Sequence, residues 1–326
     1  TQGYSSAASD VYKRQDLIIR YQPGLYKKIK DFNPDIIIVE AFGGWSMIGI
    51  LYGILHRKKI MLFYERTAYV ERNSPWWRTL YRKIIGKAID AFLINGQLTR
   101  EYLENGLGFK KQPKTEGLMV ADSKGLENAV NSFPNEEKNE LKKSLQLNSG
   151  LTYLFVGQIV ERKGITQLLE AWEEHIQQHT EDNLLVIGTG ILLEKLQHKY
   201  RGVQSIHLLG RIEYDEVYKY YAIANVFVMP TLEDNWCLVV PEAMACKLPI
   251  ACSIYNGGHL ELIEEGKNGY RFDPLKKESI IQTLSLFHHS NLNKMGNTSY
   301  FIVQNYTPEI AARKIYNACL SLYNQY

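Results

Sequence analysis

TLEDNWCLVVPEAMACKLP, residues 231–249, sets Asp234 and Glu242 eight positions apart around a run of small and apolar residues. It follows NVFVMP, a β-branched apolar segment of strand length, and leads into a helical pattern through VVPEAMAC. Strand, acidic loop and helix in that order belong to an open α/β sheet, whose ligands sit beyond the carboxyl ends of the strands. The two carboxylates have two readings. Asp234 is an N-cap and Glu242 a first-turn acid offsetting the helix dipole. Or they grip the hydroxyls of a bound molecule while amides of the opening turn, around Cys237, Leu238 and Val239, face its phosphates. A helix beginning near Trp236 or Cys237 places Glu242 one to two turns inside it.

The same alternation extends outward in both directions. LTYLFVG, NLLVIGTG, IHLLG, PIACS and GYRFD read as strands, with GITQLLEAWEEHIQQ, LLEKLQHKY, YDEVYKYYAIA and HLELIEEG as the helices between them. Further upstream, DIIIVEAF, KKIMLFYE, AIDAFLING and a weaker TEGLMV form a second strand set, alternating with YQPGLYKKIKDFNP, GWSMIGILYGILHR and SPWWRTLYRKIIGK. Runs apolar on every side belong to strands buried on both faces of a parallel sheet. Two doubly wound domains facing across a cleft are therefore expected. A partial amino-terminal domain spans residues 16–135, a charged linker 136–150 and a second domain 151–305. A helix at 306–326 starts with Thr307 as N-cap and Pro308 at its first position and packs back toward the first domain.

Composition bounds the function. The chain has 326 residues, 45% of them hydrophobic, and a formal net charge of +3. That suits two globular domains and gives no basic face for nucleic acid. Four cysteines, Cys237, Cys246, Cys252 and Cys319, show neither CxxC pairing nor zinc spacing, so they read as buried thiols of a reducing compartment. The longest apolar run, Trp45–Leu55, is too short to span a bilayer. SSAASDVYKRQ, residues 5–15, has no hydrophobic period, and DVYKRQ matches a translated library adaptor. Residues 1–15 are accordingly expected to be a non-native leader, with the natural protein beginning upstream.

Three further motifs lie just after strands. In FVGQIVERKG, residues 155–164, Gly157 ends a strand, Gln158 follows it, and Arg162 and Lys163 stand at a helix start, where two cations favour an anion. VIGTG, with Gly188, is a weak Gly-x-Gly signal that favours a packing role. YNGGHLELIEEGKNGYRF places tight turns around one helix, with His259 at its start.

Taken in order, FVGQIVERKG, VIGTG, HLLGRI, VFVMPTLEDNWCLVVPEAMACKLPIACS and GGHLELIEEGKNGYRF resemble the nucleotide-sugar-binding half of retaining glycosyltransferases of family four, which have the GT-B fold. The likeness is strong over residues 151–274 and looser in the flanks. It implies that Asp234 is the first acid of the family's Glu-x7-Glu motif, on the donor sugar, and Glu242 the second, on the ribose. Lys163 matches the diphosphate lysine, Gly210-Arg211-Ile212 the segment flanking the nucleobase, and Leu238 and Val239 the amides at the phosphates. The chain departs from the pattern in three places. The first acid is Asp, with Glu233 adjacent as a substitute, Gln158 replaces an arginine for which Arg162 is the stand-in, and Lys247 takes a usual glycine position.

The resemblance further implies transfer of a hexose-type sugar from a nucleotide-diphosphate sugar to a hydroxyl acceptor, a glycan or a lipid-linked molecule, with retention of anomeric configuration. No Asp-x-Asp stretch occurs, and neither metal nor cofactor is expected. Glu40, Glu65 and Arg66, polar residues at strand ends of the first domain, are the acceptor-side candidates, with Arg72 nearby; a structural ion-pair role competes for each. PWWRTLYRKIIGK, residues 75–87, combines tryptophans with basic residues in a helix suited to an anionic membrane surface, against a basic face packed on its own domain. Localisation is expected to be cytoplasmic, at the inner face of the plasma membrane. The alternatives are a nucleotide-sugar epimerase of the same fold and a catalytically silent nucleotide-sugar-binding fragment.

Overall fold

A computed structural model describes residues 23–121 and 123–324. The expected leader at 1–15 lies outside the described residues, as does the start of the first predicted domain at 16–22.

The first sheet contains β1 (Ile36–Glu40), β2 (Lys59–Tyr64), β3 (Ala91–Ile94) and β4 (Lys114–Thr115), all parallel and in sequential order. TEGLMV contributes only Thr115 to the fourth strand. β3 is buried throughout, as its all-apolar sequence requires, whereas β1 at the sheet edge leaves Ile38 47% exposed. The helix Gly44–His56 connects β1 to β2, and Trp76–Ile85 lies between β2 and β3.

The second sheet contains β5 (Thr152–Val156), β6 (Asn183–Ile187), β7 (Ile206–Gly210), β8 (Val226–Met229), β9 (Ile250–Ser253) and β10 (Gly269–Phe272), also parallel, in the order β10-β9-β8-β5-β6-β7. Strand order reverses between β5 and β8, and at such a switch point the following loops diverge and open a crevice. Leu154, Phe155, Leu184, Val186, Val226 and Val228 are inaccessible to solvent. Helices cover both faces, which is why these strands read as continuous apolar runs instead of alternating ones.

The expected linker at 136–150, read as carrying a short helix, is largely the helix Asn135–Ser144, and Lys124–Ser132 before it is a second helix; Leu126, Val130, Leu141 and Leu145 pack on the core of the second sheet. Their spacing, four residues within each pair, gives an otherwise charged segment one apolar stripe. The carboxyl-terminal helix Pro308–Tyr323 opens on Thr307, whose hydroxyl accepts the Ile310 N–H at 3.4 Å. Its Ala311 and Leu322 share a small core with Met61, Ala91, Leu93 and Leu118, so the helix crosses back to the first sheet. Among the described residues, no helix is long and apolar enough to cross a membrane.

Candidate functional site

The loops after β5 and β8 are bound to one another at the switch point. After β5, Glu161–Lys163 makes one 3-10 turn and Gly164 ends it in the left-handed region, φ 68°, before the helix Ile165–Gln178. A Cβ on Gly164 would stand 1.9 Å from the Pro230 carbonyl oxygen, so only glycine lets the two loops approach this closely. The Arg162 carbonyl then accepts the Leu232 N–H at 2.9 Å and the Thr231 hydroxyl at 3.1 Å. These bonds place the side chains of Arg162 and Lys163 over the acidic loop.

Lys163 Nζ lies 2.5 Å from Asp234 Oδ2, and Arg162 Nη1 reaches the same oxygen at 3.1 Å and the Glu233 carbonyl at 2.8 Å. Asp234 Oδ1 accepts the Trp236 N–H at 3.1 Å. Burial by itself would raise the Asp234 carboxyl, but the Lys163 ammonium and the Arg162 guanidinium hold it below the usual carboxylate range. Burial likewise opposes charge on Lys163, while the Asp234 carboxylate keeps it above the ordinary lysine value; Cys237 Sγ lies 3.9 Å from Nζ. Burial pushes the Cys237 thiol well up, leaving it the neutral wall of this corner.

The helix after the loop begins at Val239, later than its expected start at Trp236 or Cys237. Residues 234–237 are instead held outside the helix by the loop after β9: Asp234 pairs with Asn256, and Asn256 Oδ1 accepts the Cys237 N–H at 3.1 Å. Glu242 therefore falls in the first turn, and Asp234 is not a helix cap. Glu242 is half-buried, burial pushes its carboxyl up to about 7, and Tyr221 donates its hydroxyl to it at 3.4 Å.

Other donor-side candidates are distributed around this centre. Gly157 and exposed Gln158 follow β5. A Cβ on Gly188 would lie 1.8 Å from the Gly157 carbonyl oxygen, which gives Gly188 the packing role that its weak motif favoured. Arg211 is exposed beyond edge strand β7 and pairs with Glu213 at 2.9 Å, while Ile212 leans on the core. Lys247 adopts a left-handed φ of 58°, the physical reason that glycine suits its position. His259 is held by the Asn256 carbonyl at 2.7 Å, a structural partner at a one-turn helix.

The first sheet faces this centre with its strand ends. Glu65, next after β2, accepts the Asn235 side-chain amide at 3.1 Å across the cleft, and burial raises its carboxyl. Arg72 pairs with Glu233 at 2.7 Å, and the Tyr69 and Tyr255 rings stack at 4.4 Å. Glu261 Oε1 accepts the Gln97 N–H at 2.6 Å. Glu40 and Arg66 are not drawn into these contacts. Glu40 is exposed beside the edge cavity of about 510 Å³ lined by Gly43, Gly44 and Trp45. Arg66 pairs with the buried Glu71 at 3.1 Å, which in turn holds the buried Arg82.

Sequence reading missed Tyr69, Asn235, Tyr255, Asn256 and Glu261, because each meets its partner in another loop.

Two α/β layers thus face one another, and Lys163 and Arg162 converge on Asp234 at the switch point of the second. The family described as Glycosyl transferases group 1 matches residues 136–301, half of the chain, and the chain belongs to it. Sulfoquinovosyl transferase SQD2 of Arabidopsis thaliana is 24% identical over 97% of this chain and 62% of its own length. Alpha-monoglucosyldiacylglycerol synthase of Acholeplasma laidlawii is 28% identical over 59% of this chain and 48% of its own length. The chain thus spans about half to three-fifths of the length of these relatives. Among solved structures, sucrose-phosphate synthase of Thermosynechococcus elongatus superposes with a TM-score of 0.72 at 19% identity, covering 92% of this chain and 76% of that one. Anabaena HepE in complex with UDP gives 0.71 at 13% identity, over 91% and 82%. The fold is the GT-B arrangement of two parallel α/β sheets.

Proposed function

We propose that this protein transfers a hexose-type sugar from a nucleotide-diphosphate sugar to a hydroxyl of a lipid-linked acceptor, with retention of anomeric configuration. The observation that carries the reading is the convergence of Lys163, Arg162 and Asp234 at the switch point of the second sheet. Two cations at one corner match a diphosphate. A carboxylate already bound to them matches a sugar hydroxyl beside it.

In this reading the diphosphate lies against Lys163 and the opening turn at Cys237, Leu238 and Val239. Asp234, or Glu233 beside it, accepts hydroxyls of the donor sugar, and Glu242 those of the ribose. Arg211 and Ile212 flank the base, and Glu65 faces the acceptor. As the glycosidic bond breaks, negative charge grows on the departing diphosphate. Fixed charges placed there stabilise that state more than the ground state, because they need no reorganisation. The sugar passes through oxocarbenium character, which the nearby Asp234 carboxylate favours. Cations supplied by Lys163 and Arg162 take the part that a metal would otherwise play, so chelation with EDTA is expected to leave transfer unchanged.

A lipid-linked acceptor at an anionic membrane suits the helix Trp76–Ile85. Trp76, Trp77, Leu80 and Ile84 are exposed on it, and Lys83 and Lys87 join Lys110 and Lys111 around an adjacent cavity of about 630 Å³. The names of the two curated relatives describe sulfoquinovosyl transfer and a glucosyl-diacylglycerol product, which supports a glycolipid pathway. Calorimetric titration with uridine, guanosine and adenosine diphosphates, followed by radiolabelled transfer to diacylglycerol in mixed micelles, tests the proposal. Binding of none of the three would overturn it, and interconversion of the free nucleotide sugar without transfer would favour the epimerase.

A further inference from the structure

Three side chains at the amino edge of the second sheet converge on one point. His175 stands in the last turn of the helix Ile165–Gln178, and Asp182 comes just before β6. His288 lies in the 3-10 turn Phe287–His289, directly after the helix Lys277–Leu286. His175 Nε2 is 2.9 Å and His288 Nε2 2.8 Å from the same oxygen, Asp182 Oδ2, and all three atoms lie within 4.8 Å of one another. The strands are parallel, so this edge is the end of the sheet away from Lys163 and Asp234, which follow the carboxyl ends of β5 and β8.

Asp182 is 1% exposed, and among the described residues no lysine or arginine pairs with it. Its Oδ1 accepts the Leu151 N–H at 2.8 Å, and two imidazoles face Oδ2. A buried charge is costly unless it is paired or coordinates a metal. The carboxylate can only accept, so both ε nitrogens donate to it. His175 Nδ1 is buried without a partner, so nothing on the far side of that ring holds its proton at Nε2 against a competitor.

Two imidazole nitrogens and one carboxylate oxygen are a donor set for zinc, whereas calcium and magnesium take oxygen shells. A tetrahedral ion at about 2.0–2.2 Å from each ligand needs them about 3.3 Å apart, so modest side-chain rotations that open the two contacts admit it. His175 is inaccessible to solvent, but the His288 side chain is 23% exposed and supplies an entry path. His179 orients the site from outside: its ring stacks on that of His288 at 3.9 Å, and its Nε2 is held by Ser285 at 3.2 Å.

We propose that His175, Asp182 and His288 bind one zinc ion, with water at the fourth corner, tying the helix Ile165–Gln178 to the turn after Lys277–Leu286. As each metal–nitrogen bond forms, the proton on Nε2 moves to Nδ1 or leaves to solvent. At the far end of the sheet from the cationic corner, the ion stabilises the second domain and takes no part in sugar transfer.

The untagged chain, stripped with EDTA and dialysed, is titrated with zinc chloride and, for its visible spectrum, with cobalt chloride. Wild type is expected to bind one equivalent and to give the cobalt absorption of a four-coordinate site. With zinc at about 100 times its Kd the melting temperature should rise by at least about 3 °C. His288→Ala should weaken zinc binding by at least about tenfold and lose the melting shift. His289→Ala, at the exposed neighbour outside the cluster, controls for surface histidines and should bind as wild type does. His288→Gln, which keeps a donor for Asp182, replaces the alanine variant should that one fail to fold. If wild type takes up no zinc, if the His288 variants bind as wild type does, or if His289→Ala loses as much as they do, the metal site is overturned. The cluster is then a hydrogen-bonded bracket alone.

Discussion

The Lys163 ammonium and the Asp234 carboxylate form an ion pair of 2.5 Å at the switch point of the second sheet, with both side chains only 13% exposed. The lysine that is proposed to meet a diphosphate is therefore already committed to an acid. Substitutions of the two partners should consequently move nucleotide affinity in opposite directions. Lys163→Ala is expected to weaken nucleoside diphosphate binding at least tenfold, which is about 1.4 kcal/mol. Asp234→Asn releases the ammonium, so affinity for the bare diphosphate should hold or increase, while sugar transfer falls at least a hundredfold. Calorimetry and single-turnover transfer check the pair of signs. A parallel loss of affinity in both variants would contradict this account.

Glu242 should make nucleotide binding depend on pH. Its folded carboxyl is raised to about 7 from an ordinary 4.5, because burial penalises the charged form. The sign follows: the neutral form stabilises the fold at low pH, and this contribution is lost as pH rises from 4.5 through 7. A ribose hydroxyl donating to the carboxylate favours the charged form instead. Binding near pH 6.5 should release a fraction of a proton, visible as dependence of the calorimetric heat on buffer ionisation enthalpy. Glu242→Gln should abolish that release and gain stability relative to wild type between pH 5 and pH 8.

The buried pair behind Arg66 has a different role. Arg82 donates to both oxygens of Glu71, at 2.5 Å and 3.1 Å, and both side chains are under 10% exposed. Removing one member leaves an uncompensated buried charge. Glu71→Ala is expected to cost about 3–5 kcal/mol in urea denaturation. Arg66, 43% exposed, joins the same glutamate from the solvent side, and Arg66→Ala should cost less than about 1 kcal/mol. Equal losses would mean that the outer pair is as decisive as the inner one.

Membrane contact through Trp76 and Trp77 predicts co-sedimentation with vesicles containing anionic lipid and weaker binding as salt rises. Trp76→Ala with Trp77→Ala should reduce the bound fraction severalfold without changing nucleotide affinity. Binding that is indifferent to both changes would assign these side chains to another surface.

Periodicity carried the architecture. Continuous apolar runs such as TYLFV and AFLI can be satisfied only in strands covered on both faces, and their alternation with helices leads to parallel sheets. Lys163, Asp234 and Glu242 were legible for a related reason: each follows a strand or opens a helix, and local order puts such residues at a strand's carboxyl edge. The helix start near Trp236 misled because Asn256, nineteen residues after Cys237, binds the Cys237 N–H and keeps that segment out of the helix. No local pattern records a partner so far along the chain.

Residue type and spacing by themselves determined two parallel α/β layers, the switch-point loops and the cation and acids upon them, since these depend on burial and on short-range chain geometry. Tertiary structure alone decided which of them meet. It joined Lys163 to Asp234, sent Arg66 to Glu71, and brought Asn235 against Glu65 from 170 residues away. Hydrogen bonds and ion pairs act over a few ångströms in space, whereas chain order is blind to how two sheets face one another.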